Sequence, residues 1–152
     1  MALQAEITDL LTGFYYQFKV RSVNSLGASD FSVASTAILT ALVPDVPTGL
    51  TLVARSSTEL EIEWVTPEDR GGIKLTGFNV YMATAHGEFS QVGSAPSTNN
   101  PTITYHTEST LVAGETYRFK VSAVNFVGEG DITDAIAVIA ADLPEAPQNP
   151  PE

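Results

Sequence analysis

Residues 114–128 read GETYRFKVSAVNFVG and carry the clearest alternation of apolar and polar side chains in the chain. Tyr117, Phe119, Val121 and Ala123 fall on alternate positions, with a polar or basic residue at each position between them. Side chains of a β-strand point to opposite faces with a period of two. This stretch therefore predicts a half-buried strand, with Tyr117 and Phe119 as core residues.

The same pattern occurs a second time, 101 residues earlier in the chain. Residues 13–27 read GFYYQFKVRSVNSLG and share the frame G-x-x-Y-x-F-K-V-x-x-V-N-x-x-G. A second, shorter repeat has a spacing of 100: VPDVP at residues 43–47 is similar to LPEAP at residues 143–147. Self-similarity at a fixed period is typical of tandem repeats. The sequence thus predicts a repeat unit of about 100 residues.

The proline-rich repeats predict where the units join. We expect residues 1–43 to be the C-terminal half of one unit, residues 44–143 a complete unit, and residues 144–152 a linker that starts the next. Proline fixes its own φ and restricts the residue before it, so these joints are expected to be semi-rigid. We also expect Met1 to be a start within a longer array.

Five other segments of the complete unit show the same alternation, and Phe89 with Val92 suggests a further short strand. The alternating apolar positions are Leu50/Leu52/Ala54, Leu60/Ile62/Trp64, Phe78/Val80/Met82, Ile103/Tyr105 and Ile136/Val138/Ala140. Gly, Pro, Asn and Asp cluster between them, as turns require. No stretch has a sustained period of 3.6, so no helix is predicted. Seven short strands in about 100 residues indicate an all-β sandwich of two sheets.

The order and spacing of these motifs resemble one known family, the fibronectin type III domains. The first half of the resemblance is Pro44-x-x-Pro47-x-x-Leu50, Leu60-x-Ile62-x-Trp64 and Gly77-Phe78-x-Val80-Tyr81. The second half is Leu111-x-x-Gly114-x-x-Tyr117-x-Phe119-x-Val121-x-Ala123-x-Asn125-x-x-Gly128. Residues 1–43 match that second half through Leu10-x-x-Gly13-x-x-Tyr16-x-Phe18-x-Val20. The resemblance covers nearly the whole chain.

The resemblance implies an immunoglobulin-like, seven-stranded sandwich and several core residues. Trp64 is expected to pack between the sheets, and Tyr117 to form a tyrosine corner whose hydroxyl binds nearby backbone. Tyr16 and Phe18 are the matching core residues of the first half unit. The family implies modular adhesion, receptor or cytoskeletal proteins without a cofactor, and the fold alone does not identify a partner.

The charge and composition exclude several function classes. The formal net charge is −11, and residues 44–143 carry most of it, with 5 basic and 13 acidic groups. A field of this sign repels nucleic acids and anionic membranes. No apolar run approaches the roughly 20 residues of a membrane span, and no signal peptide is predicted. The chain has no cysteine, so disulfides and thiolate chemistry are excluded.

No catalytic, cofactor or metal site is expected. His86 and His106 are the two histidines, and neither has an acidic or serine partner at a spacing typical of catalysis. The acidic residues at 129–142 do not match the spacing of a calcium loop. Gly71-Gly72 and Gly128-Glu129-Gly130 are interpreted as turns, since no G-K-[ST] follows them.

The candidate protein-binding residues lie in two loops, Pro67–Lys74 and Phe126–Thr133, which the family topology places at one end of the sandwich. The residues are Glu68, Asp69, Arg70, Phe126, Glu129 and Asp131. Glu59, Glu61 and Glu63 form a separate acidic stripe, which is interpreted as a solvated sheet face that discourages stacking, with docking of a basic partner as the alternative.

The first half unit raises the question of a partner. Residues 1–43 supply only the last three strands of a sandwich, so Tyr16, Phe18 and Val20 have no opposing sheet of their own. We expect self-association through residues 1–43, or contact with a neighbour in a larger assembly. Two function classes fit: an extracellular or cell-surface adhesion and spacer array, which is favoured, or an intracellular scaffold of a cytoskeletal or ciliary assembly.

Overall fold

The computed structural model describes residues 4–93, 97–98, 100, 105–109 and 111–142. These residues form twelve strands and no helix, which confirms the predicted all-β class. The strands are β1 Tyr15–Tyr16, β2 Val23–Asn24, β3 Gly27–Ala28, β4 Ile38–Leu39, β5 Thr48–Arg55, β6 Glu59–Val65, β7 Leu75–Thr84, β8 Ser90–Gln91, β9 Tyr105–Ser109, β10 Thr116–Asn125, β11 Glu129–Ile132 and β12 Ile136–Ile139. Ile103 of the predicted fifth strand and the predicted linker at 144–152 lie outside the described residues.

Strands β5 to β12 form two antiparallel sheets. The first has the order β5-β6-β9. In the second, β8 pairs with β7, β7 with β10, and the far edge of β10 pairs with β11 and then β12. β10 is central to the second sheet because it has a partner on both edges. It is the strand that the alternation at residues 114–128 predicts.

The core lies between these two sheets. β6 contributes Leu60, Ile62 and Trp64, and the facing sheet contributes Phe78 and Phe119, all at most 3% exposed. The rings of Trp64 and Phe78 meet edge to face, with centroids 5.4 Å apart. The alternation predicted from the sequence therefore selects the buried face of β6 and β10 and the core residues Phe78 and Val80 of β7.

The turn before β10 contains the predicted tyrosine corner. The Tyr117 ring is 6% exposed, and its hydroxyl oxygen accepts a hydrogen bond of 3.0 Å from the Val112 backbone N–H. Gly114 follows with a φ of +85°, a conformation that favours glycine. The Tyr16 hydroxyl accepts from the Leu11 N–H at 2.9 Å, so the same corner occurs at the equivalent position of the first repeat.

Residues 14–40 form a narrow two-stranded ladder. β1 pairs with β4, and β2 with β3. Between these short pairs, three serines each form two hydrogen bonds with the residue opposite. The serine backbone N–H donates to the carbonyl of that residue, and the serine hydroxyl accepts from its N–H. The pairs are Ser29 with Ser22, Ser32 with Val20, and Ser35 with Phe18.

No second sheet among the described residues covers this ladder. Tyr16 and Phe18 are half-buried, and Val20 is 71% exposed, whereas its equivalent in the second repeat, Val121, is fully buried. The difference arises from tertiary contacts, because the two segments have the same apolar residues at the aligned positions Tyr16/Tyr117, Phe18/Phe119 and Val20/Val121. The described residues also include no helix that is long and apolar enough to cross a bilayer.

Candidate partner-binding surfaces

The two loops predicted to bind a partner meet at one end of the sandwich. We call this end, formed by residues 68–72 and 125–130, the linker pole. The side-chain amide of Asn125 joins the loops by donating a hydrogen bond of 3.0 Å to the Arg70 carbonyl. Glu68, Asp69 and Arg70 are exposed. The Phe126 side chain is 88% exposed.

The chain's own linker already occupies much of the linker pole. The Leu42 N–H donates to the Gly71 carbonyl, and the Asp45 N–H donates to the Asp69 carbonyl, both at 3.0 Å. The Asn125 amide donates a second hydrogen bond, of 2.7 Å, to the Leu42 carbonyl. These contacts use backbone groups of the 68–72 loop that an outside partner would otherwise find free.

Asn125 performs two tasks at once and was not among the predicted site residues. Its Oδ1 closes the turn after β10 by accepting from the N–H groups of Val127 and Gly128, at 2.8 and 3.2 Å. Its amide reaches the linker and the 68–72 loop, and the side chain is only 4% exposed. The asparagine of the V-N-x-x-G motif, present in both repeats, was the signal that could have identified it.

Glu129 belongs to a hydrogen-bonded cluster on the outer face of the second sheet. Its Oε1 accepts from the Tyr81 hydroxyl at 2.6 Å and from the Ser122 hydroxyl. Burial opposes ionisation of Glu129, but hydrogen bonds from Ser122, Tyr81 and Asn79 outweigh it and lower the pKa of the carboxyl. Burial, together with the hydrogen bond to Glu129 and its charge, raises the pKa of Tyr81.

Glu129 and Asp131 were predicted as loop residues, but both lie in β11, a strand of the second sheet. The Glu129 side chain bonds to that sheet, and Asp131 is exposed. Glu129 pairs with Val124 in the β10–β11 register, which places its side chain beside the strand. The predicted set therefore spans two regions, because Glu68, Asp69, Arg70 and Phe126 surround the linker contacts and Glu129 lies along β10.

A cation–aromatic cluster lies further along the same sheet face. The Arg118 guanidinium carbon and the Lys120 amine each lie 4.8 Å from the centre of the Phe89 ring. Arg118 also donates to the Thr84 and Gly87 carbonyls through Nε and Nη2. These contacts fix the turn between β7 and β8 onto β10, which is a structural role.

The acidic stripe lies on the outer face of the first sheet. Glu59 and Glu63 are exposed and Glu61 is half-buried, all on the side of β6 opposite to its buried residues. On the neighbouring strand β9, His106 pairs with Ile62 and Glu108 with Leu60, so both lie on the face opposite to the stripe. His106 Nε2 lies 3.2 Å from Glu108 Oε2, because residues two apart on a strand share a face. His106 therefore has an acidic neighbour, which the spacings typical of catalysis did not identify in the sequence. Within the described ranges, no three His, Asp or Glu side chains are grouped as metal ligands.

Comparison with known proteins points to one domain family. The family model described as Fibronectin type III domain matches residues 45–139. Human Myomesin-2 is 34% identical over 132 residues, which are 84% of this chain and 9% of that protein. Cardiac-type Myosin-binding protein C of Gallus gallus is 32% identical over 133 residues, 84% of this chain and 10% of that protein.

One solved structure and one enzyme extend the comparison. Domains A168–A170 of titin superpose with a TM-score of 0.60 at 24% identity, over 78% of this chain and 38% of that one, a likeness that concerns the fold. Exoglucanase B of Cellulomonas fimi is 26% identical over 95% of this chain, which is 13% of that enzyme. The chain thus spans about a tenth of the length of the relatives it matches.

Proposed function

The chain belongs to the fibronectin type III family, and we propose that it is a non-catalytic structural module that spaces its neighbours within a larger tandem array. The observation that carries this proposal is the linker pole, where the complete sandwich receives the preceding segment through backbone hydrogen bonds and the Asn125 amide. Such a joint suits a spacer, because it ties the preceding segment directly to the sandwich. The similarity to an exoglucanase covers a small part of that enzyme and does not bring its activity to this chain.

A spacer must keep its fold under tension, and force spectroscopy of residues 1–152 between handles tests this. We expect one force peak as residues 45–139 unfold, followed by a gain in chain length of about 300 Å. This length is the extended length of the segment, at about 3.6 Å per residue, minus the distance between its ends in the folded state. The variant Val121→Ala, which opens a cavity in the core, is expected to lower the peak force. Smooth extension without a peak would contradict the spacer role.

The setting of the array is the finer part of the proposal. Of the two function classes that fit the sequence, relatives named for myosin binding and myomesin support a scaffold inside a filament assembly over adhesion at the cell surface. An antibody against residues 48–139 tests this on cells that make the parent protein. We expect staining only after the cells are permeabilised, and staining of intact cells would support the adhesion array instead.

A further inference from the structure

The linker pole is built for contact between main chains. A Cβ atom at Gly72 would lie 2.5 Å from Gly13 N and 2.7 Å from Gly13 Cα, and one at Gly71 would lie 1.9 Å from the Leu42 carbonyl oxygen. Real Cβ atoms essentially never approach so closely. Both Gly71 and Gly72 also have positive φ values, of +73° and +77°. Any side chain at these two positions would therefore push the preceding segment away.

Both loops of the linker pole contact the preceding segment. The 68–72 loop touches both the corner at Gly13 and the linker at Leu42. On the other side, Gly130 lies so close to the Pro44 carbonyl that a Cβ there would be 2.0 Å from its oxygen. Pro44 itself is buried. The preceding segment is thus held at three points along its chain, Gly13, Leu42 and Pro44, which opposes its rotation relative to the sandwich.

We propose that the linker pole is a docking surface for the main chain of the preceding repeat, and that it holds residues 11–40 at one fixed angle to residues 48–140. Asn125 is its positioning residue, and Gly71, Gly72 and Gly130 supply the close approach. The partner that this surface fits is an extended, proline-flanked linker that offers carbonyl oxygens, here residues 41–47. This inference adds a fixed angle to the spacer role proposed above.

Asn125 closes the turn with its side-chain oxygen and contacts the linker with its amide nitrogen, so one substitution can remove the linker contacts alone. Asn125→Asp keeps the oxygen that closes the turn but replaces the amide donor with a second oxygen facing the carbonyls of Leu42 and Arg70. Asn24 provides the matched control, because its Oδ1 accepts from Leu26 and Gly27 N–H at 2.8 and 3.2 Å and its turn is exposed. Asn24→Asp should therefore leave the angle unchanged.

The test is a distance distribution between two spin labels, which the absence of cysteine makes simple. Labels at Ala34→Cys and Glu88→Cys, both at exposed positions, report the angle between the two segments by pulsed electron paramagnetic resonance. We expect one narrow distribution in the parent chain and in the Asn24→Asp control. The width should increase about twofold or more in Asn125→Asp, as collective motion of the segments is released.

A second variant keeps the test decisive if Asn125→Asp weakens the fold. Gly72→Ala changes an exposed loop outside both sheets and should broaden the distribution. The positive φ of Gly72 makes the alanine strained, so we expect the urea midpoint of unfolding to fall slightly while the sandwich stays folded under the conditions of the distance measurement. A broad distribution in the parent chain, or unchanged widths in both variants, would overturn the fixed angle. A force peak combined with a broad distribution would retain the spacer role and reject the fixed angle alone.

Discussion

The Tyr117 hydroxyl fixes the corner before β10 by accepting the Val112 N–H at 3.0 Å. Tyr117→Phe keeps the ring in the core but leaves that partly buried N–H without its acceptor. We expect the free energy of unfolding in urea to fall by about 1–3 kcal/mol. The control Tyr15→Phe removes a hydroxyl from a side chain that is 71% exposed and should change it by less than about 0.5 kcal/mol. Equal effects of the two variants would contradict the corner.

Glu129 predicts a pH dependence whose sign follows from its lowered pKa. A carboxyl whose pKa is lower in the folded than in the unfolded state stabilises the fold above its unfolded pKa, near 4.5, and this contribution is lost as the pH falls through the folded value. We expect Glu129→Gln to lower the free energy of unfolding at about pH 6 and to have a much smaller effect at about pH 3.

The matched control for this prediction is Asp131→Asn, two residues further along the chain. Its side chain is exposed and makes no hydrogen bond with the described residues. Urea unfolding of both variants across the acid range separates the local effect of Glu129 from the general gain expected when an acidic chain loses one negative charge. The same pH dependence in both variants would show that net charge, and not the Glu129 cluster, is responsible.

Asn125 marks a limit of sequence reasoning at the residue scale. The repeat showed that an asparagine stands at the same place in both units, and turn chemistry accounts for its Oδ1. The amide partners are the carbonyls of Leu42 and Arg70, which are 83 and 55 residues away. No local pattern encodes a contact over that distance, so the loops were predicted as a free surface and the linker contacts were missed.

At the scale of elements, the equivalent segments around Val20 and Val121 allow the effect of tertiary burial to be compared at matched valines. Val121 is fully buried beneath the first sheet, while Val20 is 71% exposed. We expect Val121→Ala to lower the free energy of unfolding by about 2 kcal/mol, from two lost methyl groups and the cavity they leave. Val20→Ala should cost less than about 0.5 kcal/mol. Comparable losses in urea denaturation would mean that Val20 is covered in solution.

The strands of the complete unit were largely predictable, because apolar alternation selects the buried face of β5, β6, β7, β10 and β12 directly. β11 was not predicted, because Glu129–Ile132 falls in the segment Phe126–Thr133 that was predicted as a loop. Within the described residues the sandwich therefore has eight strands, β5 to β12, and not the predicted seven. Thr133 lies between β11 and β12, and its hydroxyl accepts the Val121 N–H while its own N–H donates to the Val121 carbonyl. A side chain thus replaces a backbone acceptor, and such an exchange leaves no trace in the hydrophobic pattern.

In the ladder at residues 14–40, a hydroxyl also replaces a backbone acceptor at three positions, Ser29, Ser32 and Ser35. Short hydroxyl side chains compete for backbone N–H groups, which interrupts regular pairing. The three-residue spacing of these serines matches neither a strand nor a helix. The sequence predicted a continuous strand around Val20, but the structure has only β1 at Tyr15–Tyr16 and β2 at Val23–Asn24, because serine hydroxyls replace backbone acceptors between them.

At the scale of the whole molecule, a sandwich at residues 48–139 and an uncovered ladder at residues 14–40 carry the same motif. The sequence predicted that Tyr16, Phe18 and Val20 have no opposing sheet of their own, and among the described residues none covers them. The division into a half unit at 1–43, a complete unit at 44–143 and a linker at 144–152 remains a prediction. Self-association through residues 1–43 stays a prediction, which sedimentation equilibrium tests by comparing residues 1–152 with residues 44–143.

The central claim is that tertiary burial by the first sheet and β7, rather than the motif itself, makes residues 45–139 a stable module. Amide hydrogen exchange of the intact chain, read at residues 16–22 and 117–123, tests it most directly because the two segments share one pattern. We predict that residues 117–123 exchange only on global unfolding and that residues 16–22 exchange orders of magnitude faster. Equal protection of the two segments would contradict this account.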